Sequence, residues 1–279
     1  LDFIASHVAA SSRIVVVAGA GISTSAGIPD FRSRSGAYGQ FGRSVFSLNM
    51  HQDRDVRARF CLFVSQMKRL ADKAVPTATH GLICKLHLRK QLLRVYNQNI
   101  DGLEDKEALL KSGHDLGETN VKLHGQLSVL ACNLCHHEAE FDAAHLEILE
   151  GGSFPPCVSC VLREEARARD GRRPHRTGVL VPSIVLYDEP HPRANEIRKI
   201  KIRDIRNHPD MVIILGTSLH VRGVKGVVLE FAREIHSKAP RTDRLPPRVV
   251  YVNLTPPPKV LESSIDYWVQ GSADQWSQH

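Results

Sequence analysis

The sequence predicts an α/β fold: a parallel sheet with helices on both faces, plus a small lobe made of a helical insertion and a four-Cys zinc module. Three observations carry this prediction. Apolar, largely β-branched runs recur at residues 13–18, 91–96, 183–186, 211–215 and 248–252, and near-continuous apolar runs of that length mark strands covered on both faces. Helical patterns lie between them at 56–71, 79–88 and 224–237, with Thr79 expected to cap the second; a parallel strand pair needs such a crossover helix to return the chain. Two stretches break the rhythm. Residues 33–75 hold no convincing strand and read as a mostly helical insertion, and residues 132–176 are Cys-rich and then strongly charged.

The first run stops at Gly19-Ala20-Gly21 and continues to Gly27. A glycine loop after a strand lets backbone amides approach a phosphate without Cβ interference. Thr24 stands where the ordinary dinucleotide fingerprint has its third Gly, and no acidic residue ends a clear second strand about 20 residues on. The loop therefore also reads as a tight strand–helix turn. Next comes Ile28-Pro29-Asp30-Phe31-Arg32, a candidate lid in which Phe31 would shield a reactive centre from water. After the 91–96 run, Asn97-Gln98-Asn99-Ile100-Asp101 falls at the carboxyl end of a strand, where parallel sheets bind ligands, although Asn and Asp are also ordinary turn formers. Leu123-His124-Gly125 offers a lone imidazole, which is more often structural than catalytic.

Cys132-x-x-Cys135 and Cys157-x-x-Cys160 are separated by 21 residues. Two such knuckles aim four thiolates at one point, the arrangement of a tetrahedral zinc site with no open position for catalysis. Disulfides compete, but nothing in the sequence indicates secretion. Cys61 and Cys84 stand alone in helical patterns as core residues.

The chain has 279 residues, 42% hydrophobic and 24% charged, with a net charge of +7. That size and composition exclude a disulfide-stapled miniprotein and a disordered chain. The longest apolar runs, 14–18 and 211–215, fall far short of the ~20 residues that cross a bilayer, so no membrane partner is expected. Residues 1–12 carry neither a basic n-region nor an apolar block, and the first residue is not Met, which reads as a trimmed chain. The positive balance favours an acidic partner, and equally suits a soluble basic surface. The Arg-rich stretch 163–176 reads as an exposed loop or helix, more a solvated surface than a dedicated DNA contact.

Taken together and in order, residues 19–33 (GAGISTSAGIPDFRS), Pro76-Thr77-x-x-His80, 97–104 (NQNIDGLE), Leu123-His124-Gly125, the four Cys, 184–189 (IVLYDE), 215–219 (LGTSL), Val252-Asn253-Leu254 and Gly271-Ser272-Ala273-Asp274 resemble the sirtuins, the NAD-dependent protein lysine deacylases. The likeness runs over nearly the whole chain. It implies a single catalytic domain over 1–279, with a Rossmann-like NAD-binding lobe at 1–34, 76–128 and 177–279. The small lobe would be 35–75 and 129–176.

The same resemblance implies site roles. Gly19, Ala20, Gly21, Ile22, Ser23, Ala26 and Gly27 would hold the pyrophosphate end of NAD, with Ile28, Asp30, Phe31 and Arg32 in the cofactor loop. Gln98, Asn99, Ile100 and Asp101 would surround the nicotinamide and its ribose, and Gly216, Thr217, Ser218, Asn253, Leu254 and Ala273 the adenosine. In the family, the acyl oxygen of acetyl-lysine attacks the nicotinamide ribose and expels nicotinamide, and O-acetyl-ADP-ribose leaves. His124 would be the general base, with Asn99 and Asp101 as catalytic partners, NAD being consumed and zinc structural. Val185, Tyr187 and Val221 would line the acyl-lysine tunnel.

Departures fall in the peptide-binding segments. Asp188 replaces the family's usual Gly, Val181 stands where an Arg commonly precedes the Pro, and Arg222-Gly223-Val224-Lys225 follows where a Pro is usual. Several segments are similar to the fungal nuclear branch that deacetylates a core-domain lysine of histone H3. That likeness implies a nuclear protein acting on acetylated histone H3, with a basic surface suited to nucleosomal DNA. A chromatin-binding zinc module with a degenerate NAD site, or a protein ADP-ribosyltransferase, are the alternatives. His124, Asn99 and Asp101 are all present, where a decayed enzyme should have lost some.

Overall fold

A β-strand sends successive side chains to opposite faces, so a strand that is apolar at every position needs cover on both. Helix α1 (Asp2–Ala10) leads into strand β1 (Ile14–Ala18), whose five residues are all fully buried. The computed structural model describes residues 1–47, 53–238, 246 and 248–279; residues 48–52 of the insertion expected at 33–75 lie outside the described residues. The remaining elements are, in order, α2 (Ala37–Phe41), α3 (Arg54–Lys73), α4 (Ala78–Leu88), β2 (Leu92–Asn97), α5 (Leu103–Ser112), β3 (Asn120–Lys122), β4 (Gly125–Cys132), β5 (Glu138–Glu140), α6 (Ala143–Glu150), α7 (Val158–Arg169), β6 (Leu180–Ile184), α8 (Ala194–Arg206), β7 (Met211–Leu215), α9 (Arg222–Ser237), β8 (Val249–Asn253), β9 (Tyr267–Gln270) and α10 (Ala273–Ser277).

Six strands form one sheet in the order β3-β2-β1-β7-β8-β9, every pairing parallel. Ile14, Val16 and Ala18 face a layer containing Ile4 and Val8 of α1, Ile83 and Leu86 of α4 and Trp276 of α10. Val15 and Val17 face Val228 and Phe231 of α9 and Leu261. Each such fully buried Val, Ile or Phe contributes about 1.5–3 kcal/mol, which makes this the stable frame of the molecule. Under the second layer, Arg94 of β2 donates two hydrogen bonds to the Asp204 carboxylate, each 2.7 Å, and Tyr96 OH donates a third at 2.8 Å. This buried pair ties α8 to the sheet, and removing one partner of such a pair costs about 3–5 kcal/mol.

A second, antiparallel sheet runs β5-β4-β6. It shares a core with α3 and α6 through Phe60, Phe63, Leu127, Leu130, Leu149 and Leu180. Asp53 caps α3, its carboxylate accepting from Asp55 N and Val56 N, a contribution of about 1 kcal/mol.

Two expectations need correction. The 183–186 run is not a strand of the parallel sheet. The strand is Leu180–Ile184 and pairs antiparallel with β4, because a short apolar run reports burial and not which sheet supplies it. The cap of the second helix is Thr77, whose hydroxyl and backbone pair reciprocally with His80, while the Thr79 side chain is spent on Asp274, Oγ1 to Oδ1 2.5 Å.

Candidate active site

The order of the parallel sheet reverses direction at β1, with β2 on one side and β7 on the other. At such a switch the loops leaving the carboxyl ends part and open a crevice. A cavity of about 1400 Å³ occupies it, lined by residues after β1, β2, β7 and β8 and by the segment after β6. Pockets of about 300–1,000 Å³ suffice for a small ligand, so this one has room for a dinucleotide and part of a second molecule.

The glycine loop packs directly on the loop after β7. A Cβ on Gly19 would lie 2.5 Å from Thr217 Cβ, and one on Gly21 2.8 Å from Gly216 Cα. The glycines are thus required by loop-on-loop packing, whatever else approaches them. Gly19 N, Gly21 N, Ile22 N and Ser23 N already donate within the protein, to Leu215, Gly216, Gly19 and Ala20. Ser23 is fully buried behind the loop, its hydroxyl bonding toward the Asp101 carboxylate. Thr77 Oγ1 fastens the loop's end by donating to Ile22 O at 3.0 Å. Within the 28–32 segment, the Asp30 carboxylate accepts from Arg32 N and Ser33 N at 2.8 and 2.7 Å, a local turn that fixes the segment's shape. Phe31 then packs among Tyr38, Phe46 and Phe63 with ring centroids 5.8–6.2 Å apart, forming an apolar wall.

Gln98 Nε2 bridges the neighbouring strands' ends by donating to Ala18 O and Thr217 Oγ1. Tyr251 OH donates to Thr217 O, and Asn253 Nδ2 to Tyr251 OH, both at 2.9 Å. His124 Nδ1 lies 2.9 Å from Gln98 O. A carbonyl only accepts, so Nδ1 carries the proton and Nε2 keeps its lone pair. Burial lowers the His124 pKa below its usual value, the bond to Gln98 raises it, and the charge of His191 lowers it further. The imidazole is therefore neutral at pH 7, in the form that accepts a proton.

Behind this surface lies a sealed polar cluster. Asn99 N donates to Asn97 Oδ1 at 2.8 Å, and Asn99 Nδ2 donates to Glu104 Oε1 at 3.3 Å. His80 Nε2 stands 3.9 Å from Glu104, and His80 Nε2 and Glu104 Oε2 are buried without partners. Burial pushes the Glu104 carboxyl up to about 7. Burial and the Glu104 charge push Asp101 up to about 6, and burial lowers His80.

Of the residues singled out in the sequence, Gly19, Ala20, Gly21, Asp30, Phe31, Arg32, Gln98, Asn99, Ile100, His124, Val185, Tyr187, Gly216, Thr217, Ser218, Val221, Asn253, Leu254 and Ala273 line the cavity. Ile22 and Ile28 are in the core, Ser23 is fully buried behind the loop, and Ala26, Gly27 and Asp101 lie off the lining. Sequence reasoning missed Thr24, Tyr38, Phe46, His191, Ile197 and Arg198, all on the lining. Ile197 and Arg198 come from α8, a charged helix with no side-chain cap and hence no boundary signal to find.

The four thiolates meet away from the cavity. Cys132 and Cys160 Sγ are 3.7 Å apart, as are Cys135 and Cys157 Sγ, and all four lie within 4.8 Å of one another. A disulfide requires about 2.05 Å, whereas a tetrahedron with Zn–S near 2.3 Å has edges of about 3.8 Å. Leu134 N and Cys135 N both donate to Cys132 Sγ. The donor set fits structural zinc.

The Sir2 family pattern matches residues 19–223. The chain belongs to the Sir2 family. An NAD-dependent protein deacetylase, hst4, of Emericella nidulans is 33% identical over 99% of this chain and 47% of its own length. The NAD-dependent histone deacetylase HST3 of Saccharomyces cerevisiae is 35% identical over 95% of this chain and 64% of its own. The chain thus spans about half to two thirds of these Sir2 relatives. A Sir2 mutant solved with a deacetylated p53 peptide and 3′-O-acetyl-ADP-ribose superposes with a TM-score of 0.73 at 23% identity, over 99% of this chain and 95% of that one, a likeness of fold.

Proposed function

We propose that this chain is the catalytic part of an NAD-dependent protein-lysine deacetylase acting on acetylated histone H3 in the nucleus. The observation that carries the reading is His124: its Nδ1 proton is committed to Gln98 O and its ring lines a cavity large enough for a dinucleotide and an acyl-lysine. The cavity's lining fits NAD: the loop of Gly19, Ala20 and Gly21 brings nearly bare backbone to it beside Gly216, Thr217 and Ser218. NAD, when bound, supplies the glycosidic bond whose loss of nicotinamide opens a sugar carbon to the acyl oxygen.

The chain's own residues do the rest. His124 Nε2 accepts a proton from a ribose hydroxyl, a step that burial assists by keeping the imidazole neutral. Asn99, held by Glu104, and Gln98, held between two strand ends, orient the ribose and carboxamide groups. Asp101 supports that loop through its bond from Leu103 N at 3.0 Å. Phe31, Tyr38 and Phe46 keep water from the reacting centre, and Val185, Tyr187 and Val221 guide the acyl-lysine. Gly216, Thr217, Ser218, Asn253, Leu254 and Ala273 take the adenosine side.

In this reading residues 1–34, 76–128 and 177–279 form the NAD-binding lobe. Residues 35–75 and 129–176 form the smaller one, with β4 and β6 carrying the chain between them. The histone and nuclear assignments are supported by the likeness to the histone deacetylase HST3 and the net charge of +7. Incubation of the chain with NAD and acetyl-lysine histone H3 peptides tests the activity. Mass spectrometry should find nicotinamide and O-acetyl-ADP-ribose in equal amounts; ADP-ribosylated protein without deacetylated peptide would replace this reading with ADP-ribosyl transfer.

A further inference from the structure

The segment after β6 carries a carboxylate that the proposed reaction leaves idle. Val185 N donates to His124 O at 3.0 Å, Tyr187 N to Phe46 O at 2.8 Å, and Leu186 N to the Glu189 carboxylate at 2.9 Å. Glu189 and three backbone amides are thereby committed to holding the segment's shape. Asp188 is not: it is exposed, lines the cavity, and its side chain has no hydrogen bond or ion pair among the described residues. Its φ is +65°, in the left-handed region where glycine sits freely and a non-glycine residue is strained. Such strain collects at ligand-binding loops. An unpaired carboxylate on a strained backbone at the edge of a cavity is a group placed for something that arrives.

We propose that Asp188 is a specificity-determining residue that selects substrates bearing a lysine or arginine within three residues of the acyl-lysine. The proposal rests on the deacetylase reading and names the peptide class that reading leaves open. Asp188 adjoins Tyr187, which lines the same cavity as the Val185 and Val221 walls. An extended peptide advances about 3.3 Å per residue, so three residues span about 10 Å, within reach of a long basic side chain. The cations on the same lining do not neutralise Asp188. Lys201 is bridged to Glu230 at 2.6 Å, Arg32 stands over the Tyr38 ring at 5.6 Å, and Arg198 and Lys259 form no ion pair with it. A cationic peptide residue therefore displaces no internal partner, and its attraction is weakened only by solvent and salt.

Acetyl-lysine peptides that differ only in one flanking residue, arginine or glutamine, test this by fluorescence anisotropy for affinity and by nicotinamide release for turnover. The wild-type chain should bind the arginine peptide about threefold to fivefold more tightly at low salt, the range of an exposed ion pair, with kcat unchanged and the preference fading at high salt. Asp188→Asn should abolish the preference, Asp188→Lys should reverse it toward a glutamate peptide, and Asp188→Gly, which relieves the backbone strain, should fold at least as well and lose the preference. A preference that survives Asp188→Asn, or none in the wild type, overturns the proposal. Charge-dependent binding without nicotinamide release from any peptide would overturn the deacetylase reading and leave the peptide selection standing.

Discussion

The floor of the cavity and its wall after β6 are built to different standards. The floor, from the glycine loop through Gln98 to Thr217, is fixed by backbone bonds between three loops, packed so closely that a Cβ on Gly19, Gly21 or Gly216 would fall within 3 Å of a neighbouring loop. The wall, Val185 to Glu189, is tied to its surroundings through His124, Phe46 and Tyr38, leaves Tyr187 and Asp188 exposed, and carries a strained backbone. Chemistry needs geometry reproduced to a fraction of an ångström, whereas peptide choice tolerates, and uses, a surface that differs from one protein to the next. On the proposed deacetylase reading, the reaction falls to the floor and selection to the wall.

The joint between the two is Gly125, and changing it should have the largest effect. A Cβ there would sit 2.0 Å from Ser183 O, and φ is +79°. Gly125→Ala must therefore push β6 away from β4 beside His124, at a cost of roughly 3 kcal/mol or more. Thermal unfolding should show a drop of many degrees and nicotinamide release should vanish. A stable, active variant would mean that floor and wall are not mechanically joined.

His124→Ala separates chemistry from structure. Turnover should fall by about 10²- to 10⁴-fold, the usual worth of a general base, while NAD affinity measured by calorimetry stays within about threefold. Because burial lowers the wild-type pKa, the acid limb of the rate profile should lie below the ordinary imidazole value of about 6.5. An acid limb above that value would contradict the buried, neutral imidazole.

How legible this floor is in the sequence depends on how local the cause is. The run 13–18 and the Cys quartet announce themselves because periodicity and spacing are properties of adjacent residues. His80 and the 97–104 segment stand out in the sequence as separate motifs, but only the packing of α4 on α5 makes His80, Asn99 and Glu104 one buried cluster. Likewise Gly178, where a Cβ would meet Cys132 Sγ at 2.4 Å, gives no local signal of its closeness to the metal site. The sheet membership of the 183–186 run was illegible for the same reason: burial is readable from composition, the neighbour that provides it is not.

The buried cluster makes a pH prediction of intermediate size. Glu104 titrates near 7 in the folded chain against about 4.3 when unfolded, so the folded state holds the extra proton between those values. Its stabilising contribution is complete below about pH 4 and is lost as pH rises through 7. Glu104→Gln keeps the shape and removes the titration. The variant should gain on the order of 2–3 kcal/mol over the wild type at pH 8 and little or nothing at pH 4, read from urea unfolding at the two pH values. Parallel stability profiles would remove Glu104 from the cluster's proton balance.

The smallest effect belongs to the wall. Tyr187 OH and Tyr38 OH are hydrogen-bonded to each other, joining the segment after β6 to α2, with the rings 6.2 Å apart. Tyr187→Phe removes that bond and keeps the ring, and an exposed neutral hydrogen bond is worth about 0.5–1 kcal/mol. The KM for an acetyl-peptide should rise about twofold to fivefold, with kcat nearly constant, because the segment stays anchored through Val185 N and Tyr187 N. If kcat fell by an order of magnitude instead, the wall would be part of the reacting geometry, and the division between a rigid floor that reacts and a looser wall that selects would not hold.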